Sequence, residues 1–187
     1  MRIVLMGPPG AGKGTQAMIV AEHIGVPHIS TGEIFRANMQ AGTALGLEAK
    51  AYMEVGEYVP DRLTNGMVAE RLAKPDAARG FLLDGYPRTV DQVHALDAML
   101  AESGLALDKV IEITAETDEV VLRLLHRAKV QGRKDDTEDV IRRRMEVYAQ
   151  QTSPLTDIYG EQGVLVRVDG MGAVAEVAAR ILAVLRP

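Results

Sequence analysis

The sequence predicts a three-layer α/β/α domain built on a five-stranded parallel sheet. Three observations carry this. Short apolar runs alternate along the chain with longer segments whose apolar residues recur at helical spacing, the order that yields a parallel sheet covered on both faces. The first apolar run leads straight into a glycine-rich turn. Residues 31 to 73 break the alternation, because helical patterns follow one another there with no strand between them, so a helical excursion leaves the sheet.

The strands, in order, are RIVLM (2 to 6), the short PHIS (27 to 30), FLLD (81 to 84), KVIEIT (109 to 114) and GVLVRV (163 to 168). Each is a short apolar run of strand length. Helical spacing marks QAMIVAEHI, TVDQVHALDAMLAE, ETDEVVLRLLHRA, EDVIRRRMEVYAQ and AVAEVAARILAVL. Gly25 and Gly104 stand where helix-ending glycines are expected. Pro154 is expected to bend or break the long helix that begins near residue 137.

At 187 residues the chain reads as one domain, 1 to 187, long enough to bury about 70% of its unfolded surface without staples. It has no cysteine, which excludes disulfides, cysteine-bound zinc and thiol catalysis. The histidines (His23, His28, His94, His126) are scattered without ligand spacing and read as surface or core-edge residues. A net charge of −5 argues against a general nucleic-acid binder, so an anionic ligand must be drawn by a local cluster of cations. No apolar stretch approaches a membrane span, and the first run is too short for a signal peptide. A cytoplasmic protein with neither membrane nor nucleic-acid partners is expected.

GPPGAGKGT, residues 7 to 15, follows the first strand and opens a helix near Gly14. That layout is a phosphate-binding P-loop. Glycines let successive backbone N–H groups turn towards an anion, the helix start adds its positive end, and Lys13 reaches the outer phosphates. Gly7, Gly12 and Lys13 match G-x-x-x-x-G-K, but Gly14 follows and the hydroxyl arrives one place late, at Thr15. The bland alternative is a strand-to-helix turn with an incidental lysine. Asp84 ends FLLDG at the same edge of the sheet, where a carboxylate would face the phosphates and could hold a magnesium ion through water. Without the loop it would read as a turn or capping aspartate.

Phosphoryl transfer is mainly positioning and charge stabilisation, so arginines matter most. Arg123 and Arg127 lie four apart on one helical face, a like-charge pair that an intervening anion would relieve. Arg123 has Glu119 four residues back as an alternative partner, whereas Arg127 has no carboxylate at three or four residues. In DDTEDVIRRRMEVY, Glu138 with Arg142 and Asp139 with Arg143 form acid-before-base pairs. Arg144 is flanked at those spacings by Val140, Ile141, Val147 and Tyr148, so it projects from the apolar face and needs a partner there; a buried salt bridge or a bound phosphate would serve. Arg133, in VQGRKDDTED, either pairs with Asp135 or Asp136 or acts in function. Arg88 follows Gly85, Tyr86 and Pro87 on the ligand side of the Asp84 strand, and Arg36 has Glu33 three residues back.

Together these segments resemble the adenylate kinases, nucleoside-monophosphate kinases that move a phosphoryl group between ATP and AMP. The resemblance spans nearly the whole chain: GPPGAGKGTQ, STGEIFR, YVPDRL, LLDGYPRT with Gln92, RKDDTEDVIRRR and VDGMG. The shifted threonine is that family's own variant of the loop. The resemblance implies that Gly10, Ala11, Gly12, Lys13, Gly14 and Thr15 cradle the ATP phosphates. It further implies that Arg127 contacts ATP and that Gly172 meets its adenine through the backbone, with Arg123 on the phosphate side. AMP would be bound by Thr31, Arg36, Glu57, Tyr58, Val59, Gly85, Tyr86, Pro87, Arg88 and Gln92, with Arg133 and Arg144 gripping phosphates. Residues 30 to 59 would be a mobile AMP-binding segment and residues 127 to 137 a short lid.

Only AKVQG separates Arg127 from Arg133, so this is a short-lid form without the zinc that some longer lids bind through cysteines. Glu33 replaces the usual aspartate of STGD. UMP/CMP kinases share the short lid, but they typically carry alanine where Thr31 stands and asparagine near Gln92. The Gln92 amide can bond an adenine edge bidentately. The expected reaction is therefore Mg-dependent, in-line transfer from ATP to AMP giving two ADP, by a monomer. Lys13, Arg88, Arg123, Arg127, Arg133 and Arg144 would be the catalytic cations. A P-loop module that binds nucleotide only to switch a partner is the remaining alternative, and it has no need of these arginines.

Overall fold

The computed structural model describes residues 1–131 and 137–186. Five strands, β1 (Arg2–Met6), β2 (His28–Ser30), β3 (Phe81–Asp84), β4 (Lys109–Thr114) and β5 (Leu165–Asp169), form one sheet in the order β2-β3-β1-β4-β5, every neighbouring pair parallel. β1 alternates strictly between the two faces. Ile3 and Leu5 join a core with Ala17, Val20 and Ala21 of α1 (Lys13–Ile24) and Val177 and Ile181 of α9 (Val174–Leu185). Val4 and Met6 point the other way, into a core with Val93, Leu96 and Leu100 of α5 (Val90–Ala101) and with Leu155 and Tyr159 of α8 (Leu155–Glu161). Each buried aliphatic side chain of this kind contributes roughly 1.5–3 kcal/mol.

The helices that follow β1 and β3 therefore lie on opposite faces of the sheet. Adjacent strands with diverging connections leave a crevice beyond their C-terminal ends, the place where open α/β sheets bind ligands. The register sets Leu5, Asp84 and Ser30 side by side at that edge.

Between β2 and β3 the excursion appears as expected: α2 (Thr31–Ala41), α3 (Ala44–Met53) and α4 (Asp61–Leu72). Ser30 caps α2 by accepting from the Glu33 N–H at 3.4 Å, and Thr43 caps α3 by accepting from the Gly46 N–H at 3.1 Å. Phe35, Ala49 and Val59 give the excursion a small core of its own, apart from the two that sandwich the sheet.

After β4 come α6 (Thr117–Gln131) and α7 (Glu138–Val147). Arg133 and the rest of 132–136 in the expected lid lie outside the described residues. The expected break at Pro154 falls earlier in the chain: α7 widens into a π-turn over Tyr148–Thr152, with the Ser153 N–H donating to the Tyr148 carbonyl at 2.9 Å, before α8 begins. A helical proline has no N–H to donate and its ring crowds the carbonyl four residues back, here that of Gln150, inside the widened turn. β5 starts at Leu165, two residues later than the apolar run suggests. Among the described residues no helix is long and apolar enough to cross a membrane.

Candidate active site

The loop leaves β1 at Met6 and closes where α1 begins at Lys13. Two of its glycines are required by space as well as by conformation. A β-carbon on Gly7 would run into the Ile113 carbonyl, and one on Gly10 would lie 2.8 Å from the Val120 carbonyl; both have positive φ, 141° and 87°. Lys13 turns back into the loop and donates from Nζ to the carbonyls of Gly7 (2.7 Å) and Pro8 (2.9 Å). Burial pushes its pKa down to about 8; Asp84 opposes the shift, while Arg88 and Arg127 add to it.

Asp84 is 8% exposed and ends β3 beside this loop. Burial alone would raise its pKa, but His28 and the positive field of Lys13 and Arg88 outweigh burial and hold the carboxyl below the usual range. His28 Nε2 stands 3.7 Å from Asp84 Oδ2. Composition did not single out this histidine; its position at the start of β2, one strand away from Asp84, is what brings it there.

A cleft of about 800 Å³ opens over this edge of the sheet, within the range of small-molecule sites. Among the described residues, Lys13, Arg36, Arg88, Arg123, Arg127 and Arg144 line it, against the carboxylates Glu33, Glu57, Asp84 and Glu119. A chain of net charge −5 thus concentrates cations in one concave place, as an anionic ligand requires. Gly10, Ala11, Gly12, Gly14, Thr15 and Gly172 form the wall at the loop end. Arg123 pairs with Glu119 as its spacing allows, Nε donating at 2.9 Å, while Nη1 donates to the Gly170 carbonyl at 3.3 Å, on the cleft wall.

The opposite end is built from the excursion and the turn after β3. Thr31 Oγ1 donates to the Gly85 carbonyl at 2.8 Å, and Arg88 Nε donates to the same carbonyl at 2.8 Å. The Arg88 guanidinium lies over the Tyr58 ring, 4.9 Å from its centre. Thr31, Val59 and Gln92 line a small recess of about 50 Å³ that shares Glu57, Tyr58, Gly85 and Arg88 with the cleft. Pro87, joined to Tyr86 by a cis peptide, faces the cleft. Tyr86 itself is fully buried behind the wall, its hydroxyl donating to Asn65 Oδ1 at 2.8 Å and lying 3.2 Å from the Gln92 carbonyl.

Gln92 is 1% exposed and its amide is already engaged. Oε1 accepts from the Arg88 N–H at 2.7 Å, and Nε2 donates to Asp61 Oδ1 at 2.6 Å. One lone pair and one N–H remain, which is what a bidentate contact with a base edge needs. Asp61, at the start of α4, also accepts from Thr89 Oγ1 at 2.7 Å, so it ties α4 to α5 and orients the glutamine. Sequence reasoning did not assign it that task.

One expected pair is not the one that forms. Arg143, read as a partner of Asp139, donates instead to Glu57 (2.6 Å) and Glu146 (3.1 Å). Chain folding brings the excursion against α7, and that tertiary carboxylate displaces the local one. Arg142 pairs with Glu138 at 2.7 Å as its spacing predicts.

A glycine loop closing on a lysine, a strand-end aspartate and a ring of arginines around one crevice define a class, the P-loop phosphotransferases. Comparison narrows it. A family model described as "Adenylate kinase" matches residues 5–164. Proteins named adenylate kinase match along almost the full chain: that of Nocardioides sp. is 60% identical over 99% of this chain and 97% of its own length. That of Kocuria rhizophila is 55% identical over 98% of each, and that of Thermobifida fusca 50% identical over 100% of this chain and 98% of its own. The chain belongs to the adenylate kinase family.

Proposed function

We propose that this enzyme transfers the terminal phosphoryl group of ATP directly to AMP, reversibly, giving two ADP. The observation that carries the proposal is the two-ended cleft: phosphate-binding backbone at the β1 end, the Thr31, Arg88 and Gln92 recess at the other, and cations between them. A switch that merely senses nucleotide has no use for a second end. The family and its adenylate kinase relatives favour AMP over UMP or CMP as acceptor, as do Thr31 and Gln92.

In this reading the amides of Gly10 to Thr15 and Lys13 hold the ATP phosphates, while Gly172 meets the adenine. Thr31, Arg36, the Glu57 to Val59 stretch, Gly85, Pro87, Arg88 and Gln92 hold AMP, with Tyr86 buried behind them. Arg123, Arg127 and Arg144 stabilise charge on the transferred group, with Arg133 joining them from outside the described residues. Phosphoryl transfer needs no covalent intermediate, so these groups act by binding, orienting and excluding water. The segments 30–59 and 127–137 close over the substrates, which keeps water from taking the phosphoryl group.

The residues present fit magnesium. Asp84 is ionised, and a β-carbon on Gly14 would stand 3.5 Å from its Oδ2, so the glycine leaves the space before the carboxylate open. Asp84 would hold the ion through water, and the ion supplies neutralisation of phosphate charge. A cytoplasmic monomer completes the proposal.

Incubation with ADP and magnesium tests both ends at once: ATP and AMP must appear in equal amounts. Rates with AMP, UMP and CMP as acceptors, at constant ATP, decide the base. No disproportionation would move the protein to the switch class, and faster transfer to UMP or CMP would make it a pyrimidine-nucleotide kinase.

A further inference from the structure

We infer that Thr152 is a positioning residue for the acceptor end of the cleft, acting through Tyr58 and Arg88. Nothing in the resemblance or the comparisons assigns it a role. The inference rests on the acceptor reading given above.

Thr152 is 4% exposed and closes the π-turn at the end of α7. Its Oγ1 lies 2.9 Å from the Arg88 carbonyl and 2.7 Å from the Tyr58 hydroxyl. A carbonyl can only accept, so the single threonine hydrogen goes to Arg88, and Tyr58 must be the donor to Thr152. Protons thus run Tyr58 to Thr152 to the Arg88 backbone. The guanidinium of Arg88 closes the ring by lying over the Tyr58 face. One hydroxyl therefore fixes both members of the stack: the backbone of the arginine and the tilt of the aromatic plane beneath it.

The three residues come from three places: the link between α3 and α4 of the excursion, the turn after β3, and the π-turn. An extra residue in a helical turn rotates everything beyond it, so the π-turn decides that Thr152 faces the cleft. π-turns are frequent where a side chain must be re-aimed for function. Thr89 and Gln92 hold the other side of the same arginine through the Arg88 N–H and the cap of α5. Arg88 is thereby held at its N–H, its carbonyl, its Nε and its guanidinium face before any phosphate arrives.

Steady-state kinetics with the full-length enzyme test this, varying AMP at saturating ATP and the converse. Thr152→Val keeps the shape and removes the hydroxyl; KM for AMP should rise about tenfold while KM for ATP stays within about twofold. Thr152→Ser should restore KM for AMP to within about threefold of wild type. Tyr58→Phe should reproduce the acceptor effect, and the Tyr58→Phe, Thr152→Val double variant should be no worse than the weaker single one, because both break the same chain. A folded Thr152→Val with unchanged KM for AMP, or with both KM values raised alike, overturns the inference. If Thr152→Val does not fold, Tyr58→Phe decides it, and a wild-type KM for AMP there overturns it equally. Wild type that fails to use AMP would instead overturn the proposed function, so the two failures are separable.

Discussion

Arg143 holds Glu57 at 2.6 Å across 86 positions of chain, joining the link between α3 and α4 of the helical excursion to α7, the helix that presents Arg144 to the cleft. The contact is close in the backbone as well: Gly56 is buried, and a β-carbon there would stand 3.0 Å from the Val140 carbonyl. The helical excursion and the helix carrying Arg144 are thus registered by a charge pair that neither element contains alone.

Because that pair is half-exposed, its effect should be screened by salt. Arg143→Met is expected to raise KM for AMP about three- to fivefold near 0.05 M salt and to differ little from wild type near 0.5 M. KM for ATP should not respond. Kinetics at the two ionic strengths check this.

Lys13 should report ATP binding as a proton. In the free enzyme burial lowers its pKa to about 8; phosphate oxygens replacing the Gly7 and Pro8 carbonyls would raise it again. At pH 8 the free lysine is half-protonated, so ATP binding should take up about half a proton, and affinity should weaken as pH rises further. Calorimetry in two buffers of different ionisation enthalpy measures the uptake, and Lys13→Met should abolish it. For stability the sign is fixed by the same shift. The folded pKa lies below the 10.5 of an ordinary lysine, so the unfolded chain binds more protons between pH 8 and 10.5, and this group's contribution to stability increases across that window.

Gln92→Leu would leave the Arg88 N–H and a carboxylate oxygen of Asp61 without their partner. A buried group stranded in this way costs about 1–3 kcal/mol, which urea unfolding would resolve. The variant should also lose preference for AMP over UMP.

Arg144→Ala removes a cation from the cleft wall. A loss of about 10²–10³ in kcat is expected, with little change in unfolding midpoint, since charge stabilisation in the transition state is its proposed task. An unchanged kcat would place Arg144 outside the chemistry.

Local chemistry was legible in the chain. RIVLM before GPPGAGKGT announced a strand feeding a glycine-rich loop, because a short apolar run and glycine content act within a few residues. FLLD announced Asp84 at a strand end for the same reason, and Glu138 with Arg142 paired as helical spacing dictates. Arg143 departs from its expected pair because Asp139, four residues back, is not its partner in space, and Glu57 from the excursion is. Pro154 was read correctly as an obstacle, but the turn that relieves it lies upstream, where no residue type marks it.

The sequence by itself determined the class of sheet and the loop with its lysine, since each follows from spacing or from a contiguous motif, and its resemblance to the adenylate kinases implied the residues of an AMP site. Only the tertiary structure decided that Lys13, Asp84, Arg36, Arg88, Arg123, Arg127 and Arg144 line one crevice with His28 beside Asp84, that Asp61 orients Gln92, and that Thr152 faces Arg88. Those relations depend on strand order and on how a helix turns after a π-turn, and both are settled by packing between segments far apart in the chain.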